Sequence, residues 1–357
     1  MIEEILAEER KILNENWVTN IVAAFGSPEK TCIVSPSEDN IYSRLWDLAS
    51  VTKIYSLITI LSLHEQGLFD ITKRVKDYSD NYPNISNLHI YELLNFSYEL
   101  NTSSRIGIDT SFNQAVDLLH GITIKSHKTV YSDMGIMVVV QLLNEIYHSE
   151  LFFRDYTYKI LNEINAKKTH WWKDLDSSET NIENYDYEYR CIDGKLIEVR
   201  TPLRTCHDSK ARVLPYTGHS GLFSSADDIS TFAIALLSGK IISNDTLSIV
   251  IDKKYDAWDE THHFGLLCNK KHPDEKYTEI PITCSDNSIA ISGYTGTYLL
   301  LDFDRQSYIF IGANRIHNRI TNLTHDNCEY KYPCTKDYVF RKDILVNKIA
   351  NAINKDK

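Results

Sequence analysis

Ser50 and Lys53 stand three residues apart in Ser50-Val51-Thr52-Lys53, where Ile54, Leu57, Ile58 and Leu61 then recur with a helical period. Residues i and i+3 of a helix share a face, so this spacing sets an amine against a hydroxyl. A serine hydroxyl is a poor nucleophile until a neighbouring group takes its proton. A lysine whose pKa is lowered by burial is one such group, and a helix N-terminus favours the negative charge that develops. Ser27-Pro28-Glu29-Lys30 has the same spacing, but its proline and turn leave no helix to align the pair.

Tyr131-Ser132-Asp133 precedes a second helical run. Its phenol is suited to shuttle a proton between nucleophile and leaving group; equally, it is a tyrosine beside a helix cap supplied by Ser132 or Asp133. A third segment, Ile291-Ser292-Gly293-Tyr294-Thr295-Gly296-Thr297, leads into an apolar stretch over 298–302. Small residues beside a strand admit close approach of a substrate to the backbone, or simply form a Gly-rich hairpin.

Other groupings carry less. Gly218-His219-Ser220-Gly221 resembles a nucleophile elbow, but Leu222 stands where the last glycine belongs, and the segment reads as structural. His262 and His263 point apart on a strand, and the spacing of His325, Cys328 and Cys334 fits no standard zinc pattern. No metal and no organic cofactor is therefore expected. His207 and Asp208 read as a loop brace. Trp171 and Trp172, with Tyr185, Tyr187 and Tyr189, read as cleft lining or as a loop packed on its own domain.

The elements that must position these groups follow from the pattern. An amphipathic helix opens the chain, with Ile2, Ile5, Leu6, Ile12 and Leu13 on one face. Short strands are predicted over 20–25 and 31–34, and again over 298–302 and 308–313. Helices are predicted from Ser50 to about Gln66 and over 90–94, 135–146, 153–164 and 226–237, with a last one through Ile344, Leu345, Ile349 and Ile353. Residues 167–214 are rich in Tyr, Trp and Asp and read as a long structured excursion. Strands at both ends with helices between predict an α+β fold: an antiparallel sheet flanked by helices and built from both ends of the chain, plus an interleaved all-helical region. The expected organisation is a single unit over 1–357, with an α/β part at about 1–49 and 215–357 and a helical part at about 50–214.

Composition narrows the partners. Of 357 residues, 43% are hydrophobic, enough for a large core. A formal charge of −11 argues against nucleic acid, whose phosphates need a basic face, and against anionic membranes. Seven scattered cysteines read as reduced thiols. The acidic start lacks the pattern of a secretory signal, and apolar runs such as 136–143 fall short of a bilayer. A cytoplasmic location is expected, with no membrane partner.

Taken in order, the three motifs resemble those of the serine β-lactamase and penicillin-binding-protein superfamily, in particular its class C-like esterases, D-aminopeptidases and D,D-peptidases. The resemblance extends through Asp47-Leu48-Ala49-Ser50-Val51-Thr52-Lys53, Tyr131-Ser132-Asp133-Met134-Gly135, His207-Asp208-Ser209-Lys210-Ala211, the stretch Gly218 to Asp228, and Gly293-Tyr294-Thr295-Gly296-Thr297 with Asn314-Arg315-Ile316-His317 downstream. It spans roughly residues 40 to 320. It implies that Ser50 forms an acyl-enzyme and that Lys53 and Tyr131 share the proton transfer, with the base left open between them. It also implies an oxyanion hole from the Ser50 and Tyr294 backbone N–H groups. Asp133 would orient Lys53 or bind a substrate amide, and Ser292 and Gly293 would line the substrate.

Two departures shape the expected substrate. The third motif of such proteins begins with Lys or His, where this chain has Ile291, so carboxylate-bearing substrates are disfavoured and a neutral or amine-bearing ester or amide is expected. Phe96, Tyr98 and Glu99 replace a His-Thr-Ser-Gly loop and are expected to reshape the cleft. The implied function is a serine hydrolase of esterase or D-amino-acid peptidase/amidase type, acting on a small molecule or short peptide. A transacylase or peptide-cyclising variant, and a non-catalytic binding or sensor module on the same scaffold, are the alternatives.

Overall fold

The computed structural model describes residues 2–15, 17–37, 39–183, 187–192, 195–316, 320–321 and 342–355. Tyr185, His317, His325, Cys328 and Cys334 lie outside them, as do the side chains of Tyr187 and Tyr189.

The frame is an eight-stranded antiparallel sheet. Its order is Ala257–Trp258, His263–Gly265, Cys268–Lys270, Ser288–Ser292, Tyr298–Asp302, Ser307–Ala313, Ile21–Ser27 and Lys30–Val34. The two ends of the chain meet near one edge of it, where Ile21 faces Ala313 and Gly26 faces Tyr308. These strands carry almost unbroken apolar sequence because both faces of the sheet are covered. Successive side chains point to opposite faces, so Val22 and Ala24 join one core while Ile21, Ala23 and Phe25 join another. The second core is closed by the terminal helices Ile2–Asn14 and Lys342–Lys355 through Ile5, Ile12, Leu345 and Ile349. On the other face the Ala226–Leu237 helix packs on the sheet, and the larger core continues into the region between the two chain ends.

At the centre of that region lies the Thr52–Glu65 helix, in which every residue from Thr52 to Leu63 is buried. A helix buried on all sides needs no polar stripe, which explains its largely apolar text. The Met134–Ile146 helix packs on Ile90–Leu94 at close range. A Cβ on Gly135 would lie 1.8 Å from the Leu93 carbonyl oxygen. The intervening region also carries two antiparallel strand pairs, Glu99–Asn101 with Thr123–Ser126 and Tyr187–Ile192 with Lys195–Arg200. A small separate sheet joins Trp46–Asp47 to Leu222–Ser224 and His170–Trp171. Strands of two or three residues, including those over 257–270, are too short for alternation to register in the sequence. Among the described residues no helix is long and apolar enough to cross a membrane.

The Gly135 contact yields a test. Gly135→Ala is expected to destabilise the fold by about 1–3 kcal/mol through overpacking against Leu93, read as a lower urea midpoint with an unchanged slope.

Candidate active site

The segment leading to Ser50 is held in an uncommon backbone shape. Ala49 has φ 45°, in the left-handed region that side-chain-bearing residues rarely adopt. Asp47 fixes it: one carboxylate oxygen accepts the Ala49 N–H at 2.9 Å and the other the His207 N–H at 2.7 Å. Burial pushes the Asp47 carboxyl pKa up against these donors. The Leu48 N–H bonds to the Leu222 carbonyl at 2.9 Å. From the third motif, the Thr295 and Thr297 hydroxyls donate to the carbonyls of Asp47 and Leu48 at 2.7 and 2.9 Å. A Cβ on Gly293 would meet the Thr297 hydroxyl at 2.0 Å and the Leu48 carbonyl oxygen at 2.7 Å, so this close docking requires glycine. Ser50 itself sits in the single 3-10 turn Ala49–Val51, just ahead of the helix that the sequence pattern starts at Ser50.

Lys53 is fully buried and makes three hydrogen bonds: to Ser50 Oγ at 3.1 Å, Asp133 Oδ1 at 2.7 Å and the His219 carbonyl at 2.9 Å. An ammonium group has three donors, and here each has an acceptor. Burial works to strip the proton from Lys53, but the Asp133 carboxylate and then the Tyr131 hydroxyl outweigh it, so the pKa rises above its ordinary 10.5. Burial likewise opposes ionisation of Asp133, yet Lys53, His219 and Lys210 hold its carboxyl well below the usual range. The burial-lowered lysine that the sequence invited is therefore not what the fold makes: this lysine is a stabilised cation.

Tyr131 also donates to Ser50 Oγ, at 2.7 Å, with its ring 5.0 Å from the Lys53 nitrogen. Desolvation of its hydroxyl raises its pKa more than Lys53 lowers it, which keeps it a neutral phenol, although 39% of the residue remains exposed to the cleft. The Phe96 ring packs against it at 4.9 Å and against Phe264 at 5.0 Å. The Phe96 departure thus buttresses Tyr131. Tyr98 and Glu99 instead engage Glu92 and Lys125.

Behind these groups runs a ladder of charge that the sequence did not announce. Lys210 bridges Asp133 at 3.0 Å and Asp208 at 3.1 Å, and Asp208 meets His219 at 3.1 Å. Asp133, Asp208 and His219 bring three ligand-type atoms close together, but both carboxylates are already taken by ammonium groups, which makes an ion-pair network rather than a metal cradle. His219, read as structural from its motif, supplies a Lys53 acceptor through its carbonyl. His207 stacks on Tyr294 with ring centres 5.1 Å apart. Trp171 is core, whereas Trp172 donates to the Ala211 carbonyl.

Ser50, Tyr131, Asp133, Ser292, Gly293 and Tyr294 converge on one cleft of about 420 Å³, within the range of small-molecule sites. Ile291 does not reach it, being 1% exposed in the core. Ile291 thus brings no cation to the site, but Arg105, Lys210 and Arg315 all line the cleft from other segments. Arg315 Nε donates to the Tyr294 carbonyl at 2.6 Å and its guanidinium lies over the Tyr294 ring. Lys342, from the C-terminal helix, contacts the Ser292 hydroxyl, which itself donates to Glu279 at 2.5 Å. Lys210 lay in a quoted motif; Arg105 and Lys342 sit in stretches without any motif signal.

A family model described as Beta-lactamase matches residues 39–324. Among solved structures the chain is similar to EstCE1, described as a hydrolase with promiscuous acyltransferase activity, at 14% identity over 98% of this chain and 97% of that one, with a TM-score of 0.68. It is similar to a class C β-lactamase from Rhodobacter sphaeroides at 12% identity over 99% of both chains, with a TM-score of 0.66. A β-lactamase/D-alanine carboxypeptidase from Pseudomonas syringae gives 14% identity, 88% and 94% coverage and a TM-score of 0.65. At such identities these likenesses speak for the fold alone. No curated protein matches the sequence.

Asp133→Asn leaves the buried Lys53 without its carboxylate and is expected to cost about 3–5 kcal/mol of stability at neutral pH. The lowered Asp133 pKa contributes stability above the ordinary 3.8, lost as pH falls through the folded value. The raised Lys53 pKa contributes stability below 10.5, lost as pH rises through the folded value. Urea titrations of both proteins across pH are therefore expected to give a gap that is widest near neutrality and narrows in acid.

Proposed function

The chain belongs to the β-lactamase family and is a serine hydrolase, and we propose that it cleaves an ester or amide bond of a small molecule or short peptide through an acyl-enzyme on Ser50. The observation that carries this reading is the pair of donors on one hydroxyl: Tyr131 at 2.7 Å and Lys53 at 3.1 Å from Ser50 Oγ. Esterase and D-amino-acid peptidase or amidase chemistry both fit it.

In this reading Ser50 Oγ attacks the carbonyl carbon as its proton passes to the Tyr131 oxygen. In the same step the Tyr131 hydroxyl gives its own proton to the departing alcohol or amine, so the phenol stays neutral throughout acylation. Lys53, with all three donors engaged, has no lone pair to offer. It stays an ammonium and stabilises the negative charge that passes through Ser50 and Tyr131. Asp133 holds that ammonium in place. Gly293 and Tyr294, on the turn docked against the Ser50 segment, provide the edge against which the substrate carbonyl lies. Water then enters along the same route in reverse, with Tyr131 taking its proton as the Tyr131 hydroxyl returns its own to the departing Ser50 Oγ. Neither a metal nor an organic cofactor is required for these steps.

A fluorophosphonate or an activated p-nitrophenyl ester, followed by intact mass, tests the reading. A stoichiometric adduct is expected on the native chain and its absence from Ser50→Ala. Lack of both adduct and turnover would leave the scaffold as a binding or sensor module. Turnover that yields a new ester or amide when an alcohol or amine is added would make it a transacylase. Tyr131→Phe is expected to lower kcat by roughly 10²- to 10⁴-fold, with a smaller change in KM.

A further inference from the structure

The cleft does not end at Asp133. A second cavity of about 480 Å³, walled by Asn101, Thr102, Ser103, Ser104 and Met134, shares Arg105, Ser209 and Lys210 with the cleft around Ser50. The two spaces are thus adjacent, and their shared wall carries Arg105 and Lys210. Lys53 and Lys210 are balanced by Asp133 and Asp208 through the contacts described above. Arg105 adds a charge with no such balance: it is exposed, and among the described residues its guanidinium meets no carboxylate and no other side chain. The rest of the second cavity sets hydroxyl and amide groups beside the apolar side chains of Ile106 and Met134. A planar guanidinium with free donors, beside an ammonium and polar walls, is suited to a carboxylate, which it can grip through two parallel hydrogen bonds.

We propose that the substrate carries a carboxylate, set off from its scissile bond by a short spacer, and that this group docks between Arg105 and Lys210. The inference rests on the acyl-enzyme reading above and deepens it by naming the substrate class. The contacts that lead from Ser50 through Lys53 and Asp133 to Lys210, at 3.1, 2.7 and 3.0 Å, keep the anion site within reach of a short methylene chain. The local charge thereby favours an anion that the chain's overall −11 would repel at a distance.

Two readouts test it. The first is kcat/KM for mono-p-nitrophenyl glutarate against neutral p-nitrophenyl valerate, and for 4-acetoxyphenylacetate against 4-methylphenyl acetate, which puts the carboxylate on the acyl or the leaving side. The native enzyme is expected to prefer the anion of one pair by about tenfold or more. That preference is expected to fall in Arg105→Gln mainly through KM, to survive in part in Arg105→Lys, and to shrink with added salt. The second readout is calorimetric binding of glutaric acid monoanilide and of its methyl ester to Ser50→Ala. It reads the anion site whether or not esters are turned over, so a failed hydrolase reading and a failed anion site remain distinct. Equal binding of acid and ester, or a preference in either readout unchanged by Arg105→Gln, overturns the proposal.

Discussion

The buried ammonium of Lys53 is the constraint on which the site depends. A cation removed from water is costly unless every donor is met and a carboxylate lies close. Lys53 meets that condition with acceptors from three parts of the chain: Ser50 in the turn just ahead of its own helix, Asp133 ahead of the Met134–Ile146 helix, and His219 in the loop before Leu222–Ser224. Each acceptor must be held before the lysine can be accommodated. Asp133 is braced by Lys210. The Ser50 turn is braced by Asp47, Thr295 and Thr297, and it is tied to the main sheet through the strands on either side of Gly293. The sheet that joins the ends of the chain and the helices between them therefore meet at one nitrogen atom.

This arrangement changes the role the lysine can play. The three-residue spacing of Ser50 and Lys53 admits both a neutral amine acting as base and an ammonium acting as an electrostatic clamp. Only the environment decides between them, and much of that environment lies 80 and 166 positions away along the chain. With the amine committed, the proposed proton movement rests on Tyr131, which donates to the same Ser50 oxygen and whose pKa desolvation of the hydroxyl raises.

Much of this was legible in the text of the chain. The terminal helices, the paired central strands and the Ala226–Leu237 helix have regular apolar periods long enough to read. Ser50, Lys53, Tyr131, Asp133, Ser292, Gly293 and Tyr294 stand in motifs whose spacing already suggested chemistry, and the fold gathers them around one cleft. What escaped was whatever depends on distant pairing. The short edge strands over 257–270 have too few residues to show alternation. His219 contributes through its carbonyl, a group every residue has, so its side-chain motif misdirected attention. Ile291 in place of Lys or His speaks only for its own position, because a sequence motif carries no information on the charge that other segments bring to the cleft. Arg105, Lys210 and Arg315 arrive from other parts of the chain.

The protonation state of Lys53 is the most direct test of this account. It can be followed by NMR of the ε-carbon in lysine-labelled protein, with the resonance assigned by its loss in Lys53→Met. The expected result is an ammonium shift for Lys53 that holds from about pH 6 to 10, and a resonance in Asp133→Asn that titrates at lower pH. A Lys53 resonance that titrates near pH 7 in the native protein, at about the value suited to a general base, would contradict it.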